Sequence, residues 1–298
     1  DIAILRPTIF VSVPRLFNKL YDKVNAAINA KGGIGAALFK QAYDSKKEYL
    51  KDGWLTHGLW DRLVFSKIQA RLGGRVRLMV TGAAPLSKEV MEFLRICFAC
   101  TILEGYGQTE CAAACTVSLP GDPQLGHVGP PAPCNEMKLV SVPEMDYLVT
   151  DNPPRGEVCI RGHNVAKGYY KMPEKTAETF DEDGWLHTGD IGRWNANGTL
   201  TLIDRKKNIF KLAQGEYVAP EKIENTYGRC PWVAQSYVHG ESLKASLVGI
   251  IVPDFDVLVP WAEENGLPTD PAALCADEKV VEMILNAMRA LGKESKLH

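Results

Sequence analysis

Glu104-Gly105-Tyr106-Gly107-Gln108-Thr109-Glu110 follows an apolar run, residues 98–103, that reads as a buried segment leading into a turn. Two glycines bracket an aromatic residue, and a hydroxyl and a carboxylate close the stretch. Glycine lets the backbone turn tightly and come close to a ligand. Tyr106 offers a flat face to a base, and Thr109 offers a hydroxyl to a phosphate. Glu110 offers oxygens to a hard cation such as Mg²⁺. Gly105, Tyr106, Gly107 and Thr109 are therefore candidate nucleotide-binding residues. Thr109 and Glu110 are candidate catalytic residues, and Glu110 is the candidate metal ligand. The same residues also suit a plain strand-to-loop turn with a buried tyrosine and a capping threonine. On this stretch alone both readings stand.

Just upstream, residues 76–80 form a short apolar run expected to be a buried strand. Thr81-Gly82-Ala83-Ala84-Pro85 follows, and Ser87 is placed to cap a helix over residues 88–97, with Glu89 and Glu92 near its start. A strand, a small-residue loop and a helix start commonly border nucleotide sites in α/β sheets. Gly82, Ala83, Ala84 and Pro85 join the candidate site, although an ordinary strand-helix turn reads the same way.

Further out, residues 6–14 predict a strand closed by Pro14, and apolar spacing predicts helices over 15–30 and 36–49. Gly32-Gly33-Ile34-Gly35 has no following lysine and reads as a helix break. Residues 60–72 predict one helix with Leu63, Val64, Ile68 and Leu72 on one face, ended by Gly73-Gly74. Its basic residues read as a solvated face. Residues 126–135, rich in Gly and Pro, mark a change of architecture. Strands are expected beyond it at 136–142, 147–150, 157–161 and 199–203, with a helix at 173–180 between them. The last part predicts a helix from 220 to 227, strands at 237–239 and 247–252, and helices over 254–265 and 278–291.

The 298 residues suffice for one large domain and part of another. With 34 basic and 36 acidic residues, bulk charge gives no case for nucleic-acid binding. No apolar run approaches a membrane span, and no signal peptide opens the sequence. Eight cysteines lie at 97, 100, 111, 115, 134, 159, 230 and 275 without ligand-spaced histidines. They read as reduced core thiols of a cytosol-facing protein.

Five ordered blocks carry a family resemblance. They are Thr81-Gly82-Ala83-Ala84-Pro85-Leu86-Ser87, Tyr106-Gly107-Gln108-Thr109-Glu110, Gly156-Glu157-Val158-Cys159-Ile160-Arg161-Gly162, Asp183-Gly184-Trp185-Leu186-His187-Thr188-Gly189-Asp190, and Asp204-Arg205-Lys206-Lys207. Together they resemble the adenylate-forming superfamily, and residues 204–224 resemble its long-chain acyl-CoA synthetases. The resemblance implies an α/β fold. Residues 1–203 would be the C-terminal portion of the AMP-binding domain, part of a large N-terminal domain with an α/β sheet and a small β-subdomain at about 126–203. Residues 204–298 would be the hinge and an incomplete, smaller α+β C-terminal domain.

The implied reaction joins a long-chain fatty acid to coenzyme A through an acyl-adenylate, using ATP and Mg²⁺. In this reading Asp190 and Arg205 hold the ribose, Lys207 is the pivot, and Lys211 to Gly215 belongs to the loop of the thioester step. As plain chemistry, the run from Asp204 to Lys207 reads equally as a solvated linker, and His187 as a structural hydrogen-bonding group. Relatives of this kind are about twice as long, with a membrane-anchoring segment, a phosphate loop and a C-terminal catalytic lysine, none of which the resemblance places on these residues. The sequence, opening on Asp1 inside an apolar segment, is expected to be a fragment without activity of its own. Its parent is expected on the cytosolic face of the endoplasmic reticulum or mitochondrial outer membrane. Ala83-Ala84 replaces a more glycine-rich pair, and His163 a common proline. The alternatives are another acyl, aryl or amino-acid adenylating ligase, or a non-catalytic nucleotide-binding relative. Residues 214–220 favour the long-chain group.

Overall fold

A computed structural model describes residues 1–211, 217–240 and 246–297. The chain forms two compact units, Asp1–Leu202 and Ile203–His298. In the first unit, a short α1 (Ile2–Leu5) precedes β1 (Ile9–Ser12), and Pro14 opens α2 (Pro14–Lys31) at its first turn, where its missing N–H costs nothing. Gly32 and Gly33, both with positive φ, break this helix from α3 (Gly33–Lys51).

The expected single helix over 60–72 is instead composite. It runs through α4 (Gly58–Trp60), a π-helical turn Asp61–Phe65, α5 (Ser66–Gln69) and a 3₁₀ turn Ala70–Leu72. The wider π turn shifts the phase of the side chains. Leu63 leaves the expected apolar face and is exposed, whereas Phe65 and Leu72 are buried and Val64 and Ile68 pack on the core. Gly73 then ends the element at φ 86°.

β2 (Leu78–Thr81), α6 (Lys88–Phe98), β3 (Thr101–Tyr106) and β4 (Thr116–Val117) complete a four-stranded sheet in the order β1-β2-β3-β4. The first two pairings are parallel and β3–β4 is antiparallel. α6 starts as expected: Ser87 Oγ accepts from the Val90 N–H at 3.3 Å. Its apolar face, with Phe93, Leu94 and Cys97, packs in one core with Phe17, Phe65, Met79 and Ile102.

A second sheet has the order β5-β6-β7-β8, from β5 (Asn135–Val140), β6 (Arg155–Gly162), β7 (Leu186–Trp194) and β8 (Leu200–Arg205). The strand expected at 147–150 is absent: Tyr147 makes only an isolated bridge to Val142. Asp151 accepts from the Leu148 N–H at 2.9 Å, closing this segment into a turn. β7 takes its place in the sheet. Its alternation was hidden by His187, Thr188 and Gly189, although Leu186 and Ile191 are fully buried. α7 (Pro173–Thr179) lies between β6 and β7 in the chain.

The second unit contains β9 (Phe210–Lys211) paired antiparallel with β10 (Tyr217–Val218), then α8 (Pro220–Tyr227). β11 (Val233–His239) pairs antiparallel with β12 (Val248–Pro253). α9 (Phe255–Glu264), α10 (Pro271–Ala276) and α11 (Glu278–Glu294) follow. Sequence reading missed α10, which is one short turn and a half begun by the Asp270 side chain on the Ala273 N–H. Val233, Leu258, Leu274, Ile284 and Met288 form this unit's own core.

Candidate functional site

The site is built where β3 ends. Gly107 can only be glycine: a Cβ there would sit 1.7 Å from the Ala113 carbonyl oxygen. This crossing turns the chain into a 3₁₀ turn, Thr109–Cys111. Thr109 is exposed on that turn and Glu110 is half-buried. Gly82 lies beside the end of β3, since a Cβ on it would come within 3.3 Å of the Gly105 carbonyl oxygen. Ala83, Ala84 and Pro85 are exposed, and Ala83 holds φ 69°, a left-handed conformation uncommon for a residue with a Cβ. The structure thus brings Gly82, Gly105 and Gly107 into one small region of backbone.

β7 contributes Asp190. Its Oδ2 accepts from the Tyr106 hydroxyl at 2.7 Å and from Gln108 Nε2 at 2.7 Å. Gln108 Nε2 also donates to the Thr188 carbonyl at 2.9 Å. Asp190 is buried, and so is Tyr106. Burial, and next the Asp190 charge, push the Tyr106 phenol well above its usual range, so it stays a donor. Tyr106 and Asp190, 84 residues apart, are thereby one hydrogen-bonded unit.

Glu110 is held from a third direction. Its Oε1 accepts from the Tyr169 hydroxyl at 2.6 Å, and its main-chain carbonyl accepts from the Ala166 N–H at 2.7 Å. Asn164 Nδ2 donates to the Cys111 carbonyl at 2.7 Å. The hydrogen bond to Glu110 raises the Tyr169 phenol above its usual value. Segment 164–169 therefore clamps the 3₁₀ turn. Gln108, Asn164 and Tyr169 were not among the sequence candidates. Gln108 sits inside the quoted motif, but nothing in local spacing links Tyr169 to a carboxylate 59 residues away.

His187 is engaged by neighbouring side chains. Its Nδ1 lies 3.4 Å from Cys159 Sγ and its Nε2 lies 3.5 Å from Asp181 Oδ2. None of the eight cysteines, all among the described residues, is in a disulfide, and Cys134 and Cys275 are the two that are exposed.

In the second unit, Asp204 is buried and caps two segments. Its Oδ1 accepts from the Arg205 N–H at 2.6 Å and its Oδ2 from the Glu221 N–H at 3.1 Å. Burial raises its pKa, while these two donors oppose the rise. Arg205 and Lys207 are exposed. The backbone of Lys211 is in β9, and Gly215 lies outside the described residues.

A single carboxylate with a neighbouring hydroxyl fits Mg²⁺, which takes one or two carboxylates from a protein when substrate phosphates and water complete its shell. Among the described residues no group of three or more His, Cys, Asp or Glu side chains could hold a metal ion without such help. Also among the described residues, no helix is long and apolar enough to cross a membrane.

The family model described as AMP-binding enzyme matches residues 1–170, and the chain belongs to that family. It is 52% identical to the peroxisomal long chain acyl-CoA synthetase 7 of Arabidopsis thaliana, with 100% of this chain and 43% of that protein covered. It is 53% identical to the human long-chain-fatty-acid–CoA ligase 1, with 100% of this chain and 42% of that protein covered. The chain therefore spans about two-fifths of the length of these relatives. Among solved structures, it is similar to the A domain of the Segniliparus rugosus carboxylic acid reductase, in complex with AMP and a co-purified carboxylic acid. That match has a TM-score of 0.71 and 31% identity, over 100% of this chain and 41% of the other.

Proposed function

We propose that the protein containing this chain activates long-chain fatty acids to acyl-CoA. The fatty acid carboxylate attacks the α-phosphate of ATP, giving acyl-adenylate and pyrophosphate. The coenzyme A thiol then attacks the adenylate carbonyl and releases AMP. The observation that carries this reading is the hydrogen-bonded unit of Tyr106, Gln108 and Asp190 beside the Glu110 turn. The identity of 52–53% to long-chain enzymes, against 31% to the reductase A domain, favours the long-chain substrate over another carboxylic acid.

In this reading residues 1–203 belong to the AMP-binding domain, with its β-subdomain at about 126–203, and residues 204–298 to the hinge and part of a C-terminal domain. Gly82, Ala83, Ala84 and Pro85 line the base, Thr109 meets phosphate, and Glu110 holds Mg²⁺. Bound there, Mg²⁺ supplies the charge neutralisation that attack of one anion on another requires. The fixed donors of the site add to it. Positioning of the thiol is the main demand of the second step. Arg205 as a ribose ligand, Lys207 as pivot, and Lys211 and Gly215 in the thioester step rest on the motif resemblance. So does a place on the cytosolic face of the endoplasmic reticulum or mitochondrial outer membrane, whereas the Arabidopsis relative is named as peroxisomal. The direct test is fatty-acid-dependent pyrophosphate release by the full-length enzyme, with ATP and coenzyme A present. A protein that binds AMP but never forms acyl-CoA would be a non-catalytic relative.

Two variants probe the assignments. Asp190→Ala removes the ribose acceptor and the carboxylate to which the Tyr106 hydroxyl donates. A lost hydrogen bond to a charged group is worth about 1.5–3 kcal/mol, so kcat/KM for ATP should fall about ten- to a hundredfold. The order of preference among fatty acids should stay the same. An unchanged ATP dependence would remove Asp190 from the site. Lys207→Pro fixes φ near −65° at the pivot, roughly the value proline imposes anywhere. If Lys207 absorbs a large backbone change between the half-reactions, they will suffer unequally, with thioester formation the more damaged. Pyrophosphate exchange and acyl transfer from preformed adenylate, measured separately, check this. Equal losses would place the pivot elsewhere.

A further inference from the structure

Glu104 lies on the buried face of the parallel sheet, only 4% exposed, in register beside Thr81 of β2. Its main chain is fixed by Ser118: the Glu104 N–H donates to Ser118 Oγ at 2.8 Å, and its carbonyl accepts from the Ser118 N–H at 2.9 Å. Its side chain reaches the other way. Oε1 accepts from the Leu86 N–H at 3.1 Å, at the far end of the loop that opens at Thr81. Thr81 Oγ1 is buried with no partner among the described residues. A buried carboxyl is costly to keep, and β3 needs none for its pairing, which runs through the main chain. The carboxyl therefore ties the far end of the loop of residues 82–86 to β3.

We propose that Glu104 is a positioning residue for the nucleotide, whose carboxyl holds the loop of residues 82–86 against β3, tightly when charged and loosely when neutral. The inference rests on the reading of residues 82–85 as part of the nucleotide site. Burial pushes the Glu104 carboxyl up to about 7, against the opposing pull of the Leu86 N–H and of Arg95. Arg95 on α6 is the charged group acting on it, itself buried and donating to the Ile102 carbonyl at 3.2 Å and the Asp122 carbonyl at 2.9 Å. Thr81, Leu86 and Ser118 present only uncharged groups, and Tyr106, two residues along the same face, keeps its proton. A charged acceptor makes the stronger hydrogen bond, so the loop is held best above neutral pH.

Stability runs the other way. Folding raises the Glu104 pKa from 4.5 to about 7, so its contribution is complete below the lower value and is lost as pH rises through the upper one. Glu104→Gln copies the neutral acid and keeps an acceptor for the Leu86 N–H. The test is the AMP Kd of wild-type and Glu104→Gln full-length enzyme across pH, alongside their melting temperatures. The ratio of variant to wild-type Kd cancels the titration of AMP itself. It should be near one at about pH 6 and rise about three- to tenfold by about pH 8. Over the same span the variant should gain melting temperature relative to wild type. Glu104→Ala should bind AMP more weakly at every pH; if it does not fold, the Gln variant decides alone. A ratio that stays flat while wild type binds AMP overturns the role of Glu104 and leaves the proposed function standing. A wild-type enzyme that does not bind AMP overturns both.

Discussion

Glu110→Gln in the full-length enzyme is expected to lower fatty-acid-dependent pyrophosphate release by about 10²–10³-fold, the usual cost of removing one preorganised charge-stabilising group. The fold should survive, because the amide oxygen of Gln can still accept from the Tyr169 hydroxyl that holds Oε1 at 2.6 Å. The main-chain contact of residue 110 with the Ala166 N–H is untouched by the change. What is lost is the negative charge, and with it the hard anionic ligand for a divalent cation. Pyrophosphate release and melting temperature should therefore part company. Release at the wild-type rate would take the metal away from Glu110. A parallel loss of both would make Glu110 a residue of the fold.

The second large effect lies in the helical layer. Lys46 is fully buried, with Nζ 2.5 Å from Asp61 Oδ1 and 2.7 Å from the Ile96 carbonyl, above the Phe65 ring at 4.7 Å. Burial lowers its pKa, and the contact with Asp61 opposes that shift. Breaking such a pair from the more exposed side strands the cation in the core. Asp61→Ala should cost about 3–5 kcal/mol of unfolding free energy, as for other broken buried pairs. Part of that is the lost acceptor for the His57 N–H, held by Oδ2 at 2.7 Å. Lys46→Met should cost less, since Met fills a similar volume and Asp61, about a fifth exposed, keeps both water and the His57 N–H. Urea unfolding of the two variants measures the difference. Equal costs would mean that the ion pair is incidental to this layer.

Parts of the site were legible because their chemistry is local. Gly105, Tyr106 and Gly107 stand together on the chain, and the requirement for glycine at 107 is a requirement of a single turn. The Ser87 cap is local in the same way: a hydroxyl three residues before the N–H it accepts from. The motif order carried Asp190 as well, but not its partner. No rule of spacing says that Asp190 meets the Tyr106 hydroxyl, because that contact is made only when β7 pairs in the second sheet. The clamp of Tyr169 on Glu110 was invisible for the same reason. β7 itself was overlooked because polar residues and a glycine interrupt its buried positions. Residues 147–150 looked like a strand by composition, yet Asp151 turns them back on themselves. Lys46 and Glu104 show the remaining difficulty: a charged residue gives no sign along the chain that its neighbours in space will bury it.

The π turn at Asp61–Phe65 is equivalent to one residue too many in an otherwise α-helical segment. Leu63 is thrown out to solvent there, while Asp61 before it and Phe65 after it both meet the buried Lys46. The length of this segment and the alignment of its buried face are thus decoupled. Removing one residue from the turn would leave Phe65 and Leu72 facing the same core, so the length of this segment can change without a change in what is packed.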